Sequence, residues 1–344
     1  MRHMTLLWAL RSPCNLGCRY CYFGTIEEDR IRPRAEQGQL SHLSRDDASL
    51  ADITAFLDGL ADSAVQRVFI AGGEPLIWPP VFTVTETIKT AGAEVVLCTN
   101  GIPLSRPEVT RQIIDLGVDG VSVSLDSADP FYNDCYRPSR NGRHGWADVI
   151  TGIRALLDAR GERHAPKVGV YTVVTRRNLN AVCEVARLAA DLGADYYVPQ
   201  PISLASDHQL HAELALRDSD EPALAAALDG LYNAGIAIGL PKRSYGRLLL
   251  STITRGTQLM PGCFGGHRLA FIEPDGSIWP CPSRYKIATT SPAHHRTIRG
   301  HNAAELFSPE RQTCPLDCAL MSADCVNMWP LMSFDRFLCP PASS

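Results

Sequence analysis

The chain has 344 residues, of which 45% are hydrophobic and 20% charged, and this composition excludes a disordered or fibrous protein. No run approaches the ~18 consecutive apolar residues of a membrane span, and no export signal follows Arg2 and His3, so we expect a cytoplasmic protein without a membrane partner. The formal net charge of -4 argues against nucleic acid as a partner, because phosphate binding needs a cationic surface.

Short apolar runs alternate with helical patterns through most of the chain. Ser44 and Asp47 predict a capping box before a helix, and later helices are predicted from Trp146 to Arg160 and from Leu179 to Leu192. The predicted strands are Thr5 to Leu10, Val68 to Ala71, Glu94 to Cys98, Val121 to Ser124, Val168 to Val174 and Tyr196 to Val198. Such alternation indicates a parallel sheet with right-handed crossovers, and six units rather than eight predict an α/β fold with a partial (β/α)6 TIM-like barrel.

The sequence pattern and the composition change near residue 240, and this change predicts a second domain. After Pro241 the periodicity weakens, glycine and proline become more frequent, and a group of cysteines begins. We therefore place the partial barrel in residues 1–240 and a smaller, cysteine-rich domain in residues 241–344.

The 12 cysteines indicate metal ligands rather than disulfides, because disulfides are disfavoured in the reducing compartment expected here. Cys14, Cys18 and Cys21 follow the first predicted strand. Three thiolates at this spacing can hold three irons of a cubane cluster and leave the fourth iron free. A zinc site is the alternative, although zinc usually takes four protein ligands.

Glycine-rich and polar segments follow the other predicted strands. Gly72-Gly73-Glu74-Pro75 follows the second strand, and Ser124-Leu125-Asp126 ends the fourth. In a parallel barrel these strand ends share one face, where active sites gather. The glycine pair allows backbone groups to approach a small ligand closely, and we expect Glu74 to receive a ligand ammonium.

These motifs resemble the radical S-adenosylmethionine (SAM) superfamily: the cysteine triplet with Tyr20 before its last member, then Gly-Gly-Glu-Pro, then Ser-Leu-Asp. The resemblance implies that Cys14, Cys18 and Cys21 ligate a [4Fe-4S] cluster whose open iron binds SAM. It further implies that one electron, from a flavodoxin- or ferredoxin-like donor, cleaves SAM to a 5′-deoxyadenosyl radical that abstracts a hydrogen atom from the substrate.

The resemblance also assigns residues to SAM. These are Gly72, Gly73 and Glu74 for the methionine ammonium, Ser124 for polar contacts, Arg137 for the carboxylate and the backbone near Tyr22 for the adenine. For Ser124 and Arg137, a helix cap and a surface salt bridge are the alternatives.

The C-terminal cysteines resemble the auxiliary-cluster extensions of the superfamily, known as SPASM domains or, in shortened form, twitch domains. Cys263-x12-Gly276-x4-Cys281 fits the pattern, whereas the later spacing departs from it. One or two auxiliary [4Fe-4S] clusters are implied. We expect Cys263 and Cys281 to ligate a nearer cluster; the second would take Cys314, Cys318, Cys325 and Cys339. A single twitch-type cluster and a zinc knuckle are the alternatives.

Three further cysteines lie between the clusters. Cys98 and Cys183 are predicted to be small core residues. Cys135 follows the fourth strand on the predicted active face, where a thiol can return a hydrogen atom to a substrate radical. The alternative for Cys135 is a plain buried or loop cysteine.

The resemblance identifies the radical chemistry better than it identifies the substrate. We favour a small natural-product substrate, such as a sugar or nucleoside, undergoing dehydrogenation, epimerisation or decarboxylation. The alternative is a maturase that cross-links or epimerises a ribosomally made peptide. Sulfatase-type maturation is disfavoured because Pro282 stands where an Asp base usually follows the cysteine. If the protein is not an enzyme, the alternative is an iron–sulfur electron carrier.

Overall fold

Six parallel strands form the centre of the molecule. The computed structural model describes residues 3–22, 46–254, 258–310 and 316–338. The six strands are β1 (Met4–Arg11), β2 (Val65–Gly72), β3 (Glu94–Thr99), β4 (Gly120–Ser124), β5 (Lys167–Val174) and β6 (Tyr196–Pro201). They pair in chain order, and β1 does not pair with β6, so the barrel is open. The predicted α/β fold with a partial six-stranded barrel is confirmed.

Helices cover the outer face of this sheet. They are α1 (Leu50–Leu57), α2 (Val81–Thr90), α3 (Pro107–Asp115), α4 (Pro130–Tyr136), α5 (Trp146–Arg160), α6 (Val182–Leu192), α7 (His211–Leu214), α8 (Glu221–Asn233) and α9 (Arg243–Thr254). None of the helices in the described ranges is long and apolar enough to cross a membrane. Alternate residues of β1 and β2, such as Trp8 and Ile70, join the core on the helix side, whereas Leu7 and Phe69 face the barrel interior. Burial of both faces explains the continuous apolar runs in the sequence.

The capping box predicted at Ser44 and Asp47 is wrong. Helix α1 begins after Ser49, whose side chain accepts a hydrogen bond from the Asp52 amide. Asp47 instead accepts a 3.0 Å hydrogen bond from the amide of Ser12 and pairs with Arg11, and Ser44 lies outside the described residues. The carboxylate that the local pattern assigned to a helix cap therefore anchors the chain that leaves β1.

Further elements follow α9. These are β7 (Gln258–Cys263), β8 (Leu269–Ile272), β9 (Ser277–Trp279), α10 (Arg284–Thr289), β10 (Arg296–Thr297), α11 (Ala303–Leu306), β11 (Leu316–Met321), α12 (Ala323–Met332) and α13 (Asp335–Leu338). Strands β8, β9 and β10 continue the sheet, whereas β7 and β11 form a separate antiparallel pair. Strand β8 pairs with β1 in parallel, and β9 and β10 follow it at the edge. The two predicted domains thus share one sheet, and the boundary at 240 stays a prediction.

Phe334 and helix α13 fill the end of the barrel opposite the carboxyl ends of the strands. Phe334 lies edge-on to Phe69 with ring centroids 5.2 Å apart, and Phe337 stacks on Tyr196 at 4.6 Å. Arg67 is buried and pairs with Asp335 and Glu94. Because this end is packed, space in the barrel interior is left toward the carboxyl ends of the strands, where the cysteine loop lies.

Candidate active site at the carboxyl ends of the strands

A cavity of about 250 Å³ lies between the cysteine loop and the barrel interior. It brings together most of the residues that the sequence predicted for the cluster and for SAM. The predicted residues that line it are Cys14, Cys18, Cys21, Tyr22, Gly72, Gly73, Ser124 and Arg137. Residues from four separate segments of the chain thus face one space.

Backbone hydrogen bonds hold the cysteine loop on the segment that follows α4. The Gly17 amide donates to the carbonyl of Pro138 at 2.8 Å, and the Arg19 amide donates to that of Tyr136 at 2.9 Å. Burial raises the pKa of the Cys14 thiol to about 12. Such a thiol loses its proton readily only when a metal cation replaces it, as iron–sulfur ligation requires.

The glycine pair lies directly against this loop. The Gly73 amide donates to the carbonyl of Arg11 at 2.8 Å. A Cβ atom at Gly73 would lie 2.2 Å from the backbone oxygen of Pro13, and one at Gly72 would lie 2.5 Å from that of Arg11. Larger side chains at these positions would displace the backbone that carries Cys14, so the glycines shape the loop as well as the cavity wall.

The Glu74 carboxylate accepts hydrogen bonds from protein donors, and its expected role toward a ligand ammonium stays a prediction. Glu74 is fully buried and is not part of the cavity wall. Its Oε1 accepts hydrogen bonds from the Leu76 amide at 3.0 Å and the Thr99 hydroxyl at 2.8 Å, and its Oε2 accepts one from the Asn100 amide at 2.7 Å. Burial raises its pKa to about 7. The side chain ties the end of β2 to the end of β3.

Asp126 positions three other groups at the site, a role that the sequence analysis does not assign to it. It is fully buried, and its Oδ2 accepts hydrogen bonds from the Tyr20 hydroxyl at 2.7 Å and from Arg137 Nη1 at 3.0 Å. Its Oδ1 accepts a third from the Val173 amide at 2.7 Å. One carboxylate therefore fixes an aromatic side chain of the cysteine motif, the guanidinium in the cavity and strand β5. Its place in Ser-Leu-Asp, at the end of a predicted strand, was the available signal.

Two of the three cysteines between the clusters lie where they were not expected. Cys135, the predicted catalytic thiol, packs with Tyr136 and Leu214 in a separate small cluster and is not part of the cavity wall. Cys98, predicted to be a core residue, lines the cavity. The reason is the alternation along β3: Val95 and Leu97 face the helices, so Cys98 faces the barrel interior.

The described C-terminal cysteines converge on one small cavity of about 20 Å³. Cys263, Cys281, Cys318 and Cys325 all line it, so the predicted division, with Cys263 and Cys281 apart from the others, is wrong. The antiparallel pairing of β7 with β11 places Cys318 opposite Met260, beside Cys263. Cys314 and Cys339 lie outside the described residues.

A tyrosine connects the two cysteine groups. Tyr22, next to Cys21, donates a hydrogen bond from its hydroxyl to the carbonyl of Pro282 at 3.1 Å, and Pro282 follows Cys281. Asp324, beside Cys325, also lies close to Tyr22 and contributes to raising its pKa, after the effect of burial. The N-terminal and the C-terminal cysteine groups therefore approach each other at Tyr22.

Comparison with known proteins gives concordant matches. A model described as Radical SAM superfamily matches residues 13–189. The AdoMet-dependent heme synthase of Methanosarcina barkeri is 28% identical over 291 residues, covering 80% of this chain and 76% of that protein. The mycofactocin maturase MftC of Mycobacterium tuberculosis is 26% identical over 277 residues, covering 80% of this chain and 64% of that protein. This chain thus spans less than two thirds of MftC.

A solved structure shows the same fold. Streptococcus suis SuiB bound to S-adenosylmethionine superposes with a TM-score of 0.60 and 15% sequence identity, over 97% of this chain and 68% of that one. SuiB has also been solved bound to the precursor peptide SuiA.

Proposed function

The chain belongs to the radical SAM superfamily, and from this premise we propose that its cavity binds and reductively cleaves SAM to start hydrogen-atom abstraction from an organic substrate. The observation that carries the proposal is the convergence of Cys14, Cys18 and Cys21 with the Gly72–Gly73 backbone on one cavity. An electron carrier would need no such cavity beside its cysteines, which disfavours that alternative.

The cysteine loop has the donor set for the family's [4Fe-4S] cluster. Three thiols from one loop would supply three ligands, and the cavity that they line would leave room for SAM at the remaining iron. When bound, the cluster supplies the electron that breaks the sulfonium bond of SAM. We assign Cys14, Cys18 and Cys21 as its ligands.

The remaining wall residues are assigned to SAM. The cavity-lining backbone at Gly72 and Gly73 would accept the methionine ammonium. Arg137, held by Asp126, presents the cation for the SAM carboxylate. Ser124 supplies a hydroxyl, and the backbone at Tyr22 lies where the adenine edge would meet the loop.

The four C-terminal cysteines would ligate one auxiliary [4Fe-4S] cluster in the SPASM- or twitch-type domain proposed for residues 241–344. Cys263, Cys281, Cys318 and Cys325 provide a complete set of protein ligands, so this cluster would be closed to substrate. Lys286 lines the same cavity and places a cation beside the thiolates. A second auxiliary cluster would have to draw on Cys314 and Cys339.

The electron is proposed to come from a flavodoxin- or ferredoxin-like donor at the outer edge of the cysteine loop. Arg19 in this loop is exposed, and so are Arg140 and Arg143 in the neighbouring segment. The Arg140 amide donates to the carbonyl of Asn15 at 3.0 Å, which places that segment beside the loop. Such a cationic edge attracts an acidic redox partner and increases its association rate.

Two substrate classes remain candidates. Pro201, Ile202 and Ser203 line both this cavity and a neighbouring cavity of about 510 Å³, which we propose as the side from which a substrate enters. The small inner space favours a small molecule or one side chain. The larger outer space also favours a peptide segment, as do the relationship to the maturase MftC and the fold shared with SuiB.

Anaerobic incubation of the iron-loaded protein with SAM and dithionite tests the proposal. We expect 5′-deoxyadenosine and methionine in equal amounts, and none without reductant. Added candidate substrates of the correct class, small molecules or peptides, should increase the rate. If the reduced, iron-loaded protein forms no 5′-deoxyadenosine, the proposal is overturned.

A further inference from the structure

Asn100 is a buried polar residue beside the cysteine loop, and the SAM assignment does not use it. It follows the last residue of β3, is 7% exposed and lines the cavity. Its backbone amide donates a hydrogen bond to Glu74 Oε2 at 2.7 Å. The buried carboxylate of Glu74 therefore fixes the backbone from which the Asn100 side chain reaches the cysteine loop.

The hydrogen bonds of the Asn100 carboxamide determine its orientation. Its Oδ1 accepts a hydrogen bond from the Ile102 amide at 3.1 Å, which only the oxygen end of a carboxamide can do. The Nδ2 end therefore faces the cysteine loop, where it donates to Asn15 Oδ1 at 2.6 Å and lies 3.9 Å from the sulfur of Cys14. A carboxamide nitrogen carries two N–H bonds, so one serves Asn15 and the other is available to the sulfur.

The sulfur of Cys14 thus has donors from two different segments of the chain. One is the Leu16 amide, at 3.4 Å, and the other is Asn100 Nδ2. As an iron ligand the sulfur would be a thiolate, and an ionised acceptor forms a stronger hydrogen bond than a neutral one. Hydrogen bonds to the cysteine sulfurs are among the factors that set the reduction potential of an iron–sulfur cluster. Because reduction adds negative charge to the cluster, an N–H donor at the sulfur stabilises the reduced form.

We propose that Asn100 is a positioning residue for the first cluster: its carboxamide holds Asn15 in the cysteine loop and donates an N–H to the Cys14 sulfur, which makes the cluster easier to reduce. This inference rests on the proposed function, because it requires the cluster on this loop. It also gives the buried Glu74 carboxylate a role, since Glu74 holds the backbone of Asn100. The effect concerns the arrival of the electron at the cluster, the step that precedes SAM cleavage.

Two substitutions remove the N–H donor and keep an oxygen for the Ile102 amide. Asn100→Asp has nearly the same shape, and the hydroxyl of Asn100→Ser is one atom shorter. In both variants we expect the reduction potential of the first cluster to become more negative, so that the reduced fraction at a fixed potential falls several-fold. A redox titration followed by electron paramagnetic resonance measures this fraction. The first cluster is identified as the one whose signal changes when SAM is added.

The proposed auxiliary cluster is the control within each sample, because its cysteines line a different cavity. Its reduction potential should equal that of the wild type in both Asn100 variants. Asn133→Ala is the matched control variant. Asn133 is a buried asparagine on α4 that accepts a hydrogen bond from the Asp126 amide at 3.4 Å and is not part of the cavity wall. Its replacement should leave the potential of the first cluster unchanged.

Wild-type potentials in both Asn100 variants would overturn the inference, as would an equal shift of the auxiliary cluster or an equal shift in Asn133→Ala. Failure of both Asn100 variants to assemble the first cluster would also overturn it, because Asn100 would then be needed to form the loop and not to tune the cluster. In each of these cases SAM cleavage by the wild type stands. If the wild type shows no signal that responds to SAM, the proposed function itself fails.

Discussion

Replacing Cys14 with alanine is expected to abolish the formation of 5′-deoxyadenosine and to remove about four irons per chain. Cys14 occupies the cavity wall, and the amide of Leu16 donates to its sulfur at 3.4 Å. Loss of one of three protein ligands leaves a cubane with too few anchors. The auxiliary cluster should remain, because its four cysteines line a different cavity.

The matched control for this prediction is Cys183→Ala. Cys183 is a partly buried cysteine on α6 whose sulfur lies 3.7 Å from the carbonyl oxygen of Ala227, on the helix side of the sheet. It should keep wild-type iron content and wild-type SAM cleavage. A Cys14→Ala protein that cleaves SAM at a rate close to that of the wild type would remove the basis for assigning the cluster to this loop.

Replacing Cys281 with serine is expected to lower the iron content from about eight to about four atoms per chain. Cys281 is buried and shares its cavity with Cys263, Cys318 and Cys325, so its loss opens a site that otherwise has complete protein ligation. SAM cleavage in the absence of substrate should continue, since the first cluster and its cavity are unchanged.

Cys135→Ala is the matched control, because it removes a thiol from neither proposed site. Iron analysis of the reconstituted wild-type protein can contradict this prediction. An iron content of about four atoms per chain or fewer would exclude the auxiliary cluster. A content near twelve would instead indicate a second auxiliary cluster, which Cys339→Ser should then remove.

The barrel could be predicted because its signals are local. Each strand is an apolar run such as Val168 to Val174, and each crossover shows a helical period, so all six strands were found within a few residues of their ends. The strand-end motifs could be assigned to one face because parallel topology brings every carboxyl end together. Local pattern and general topology were therefore sufficient for the architecture and for the cysteine loop.

The side-chain partners could not be predicted, because they join residues far apart in the chain. Tyr20 and Asp126 are 106 positions apart, yet their hydrogen bond orders the cysteine motif. Glu74 looks available for a ligand because two glycines precede it, whereas its carboxylate accepts a hydrogen bond from the amide of Asn100, 26 residues away. Local sequence gives the identity of a side chain. Whether that side chain is free to bind a ligand depends on hydrogen-bond donors that lie far away in the chain.

The cysteines illustrate the same limit. Cys98 resembles an ordinary core residue because β3 is apolar on both faces, and only the open barrel reveals that one face borders a cavity. The ligand set of the auxiliary site depends on the pairing of β7 with β11, which lie more than 50 residues apart and show no periodic signal of pairing. Spacing along the chain suggests two groups, whereas the four C-terminal cysteines that the structure describes form one.

Electron paramagnetic resonance of the anaerobically reduced wild-type protein, recorded with and without SAM, tests the central claim most directly. The account predicts a low-potential iron–sulfur signal whose line shape changes when SAM is added, because SAM binds the iron that the cysteine loop leaves open. A signal that SAM leaves unchanged, or no signal in protein shown to contain iron, would contradict it.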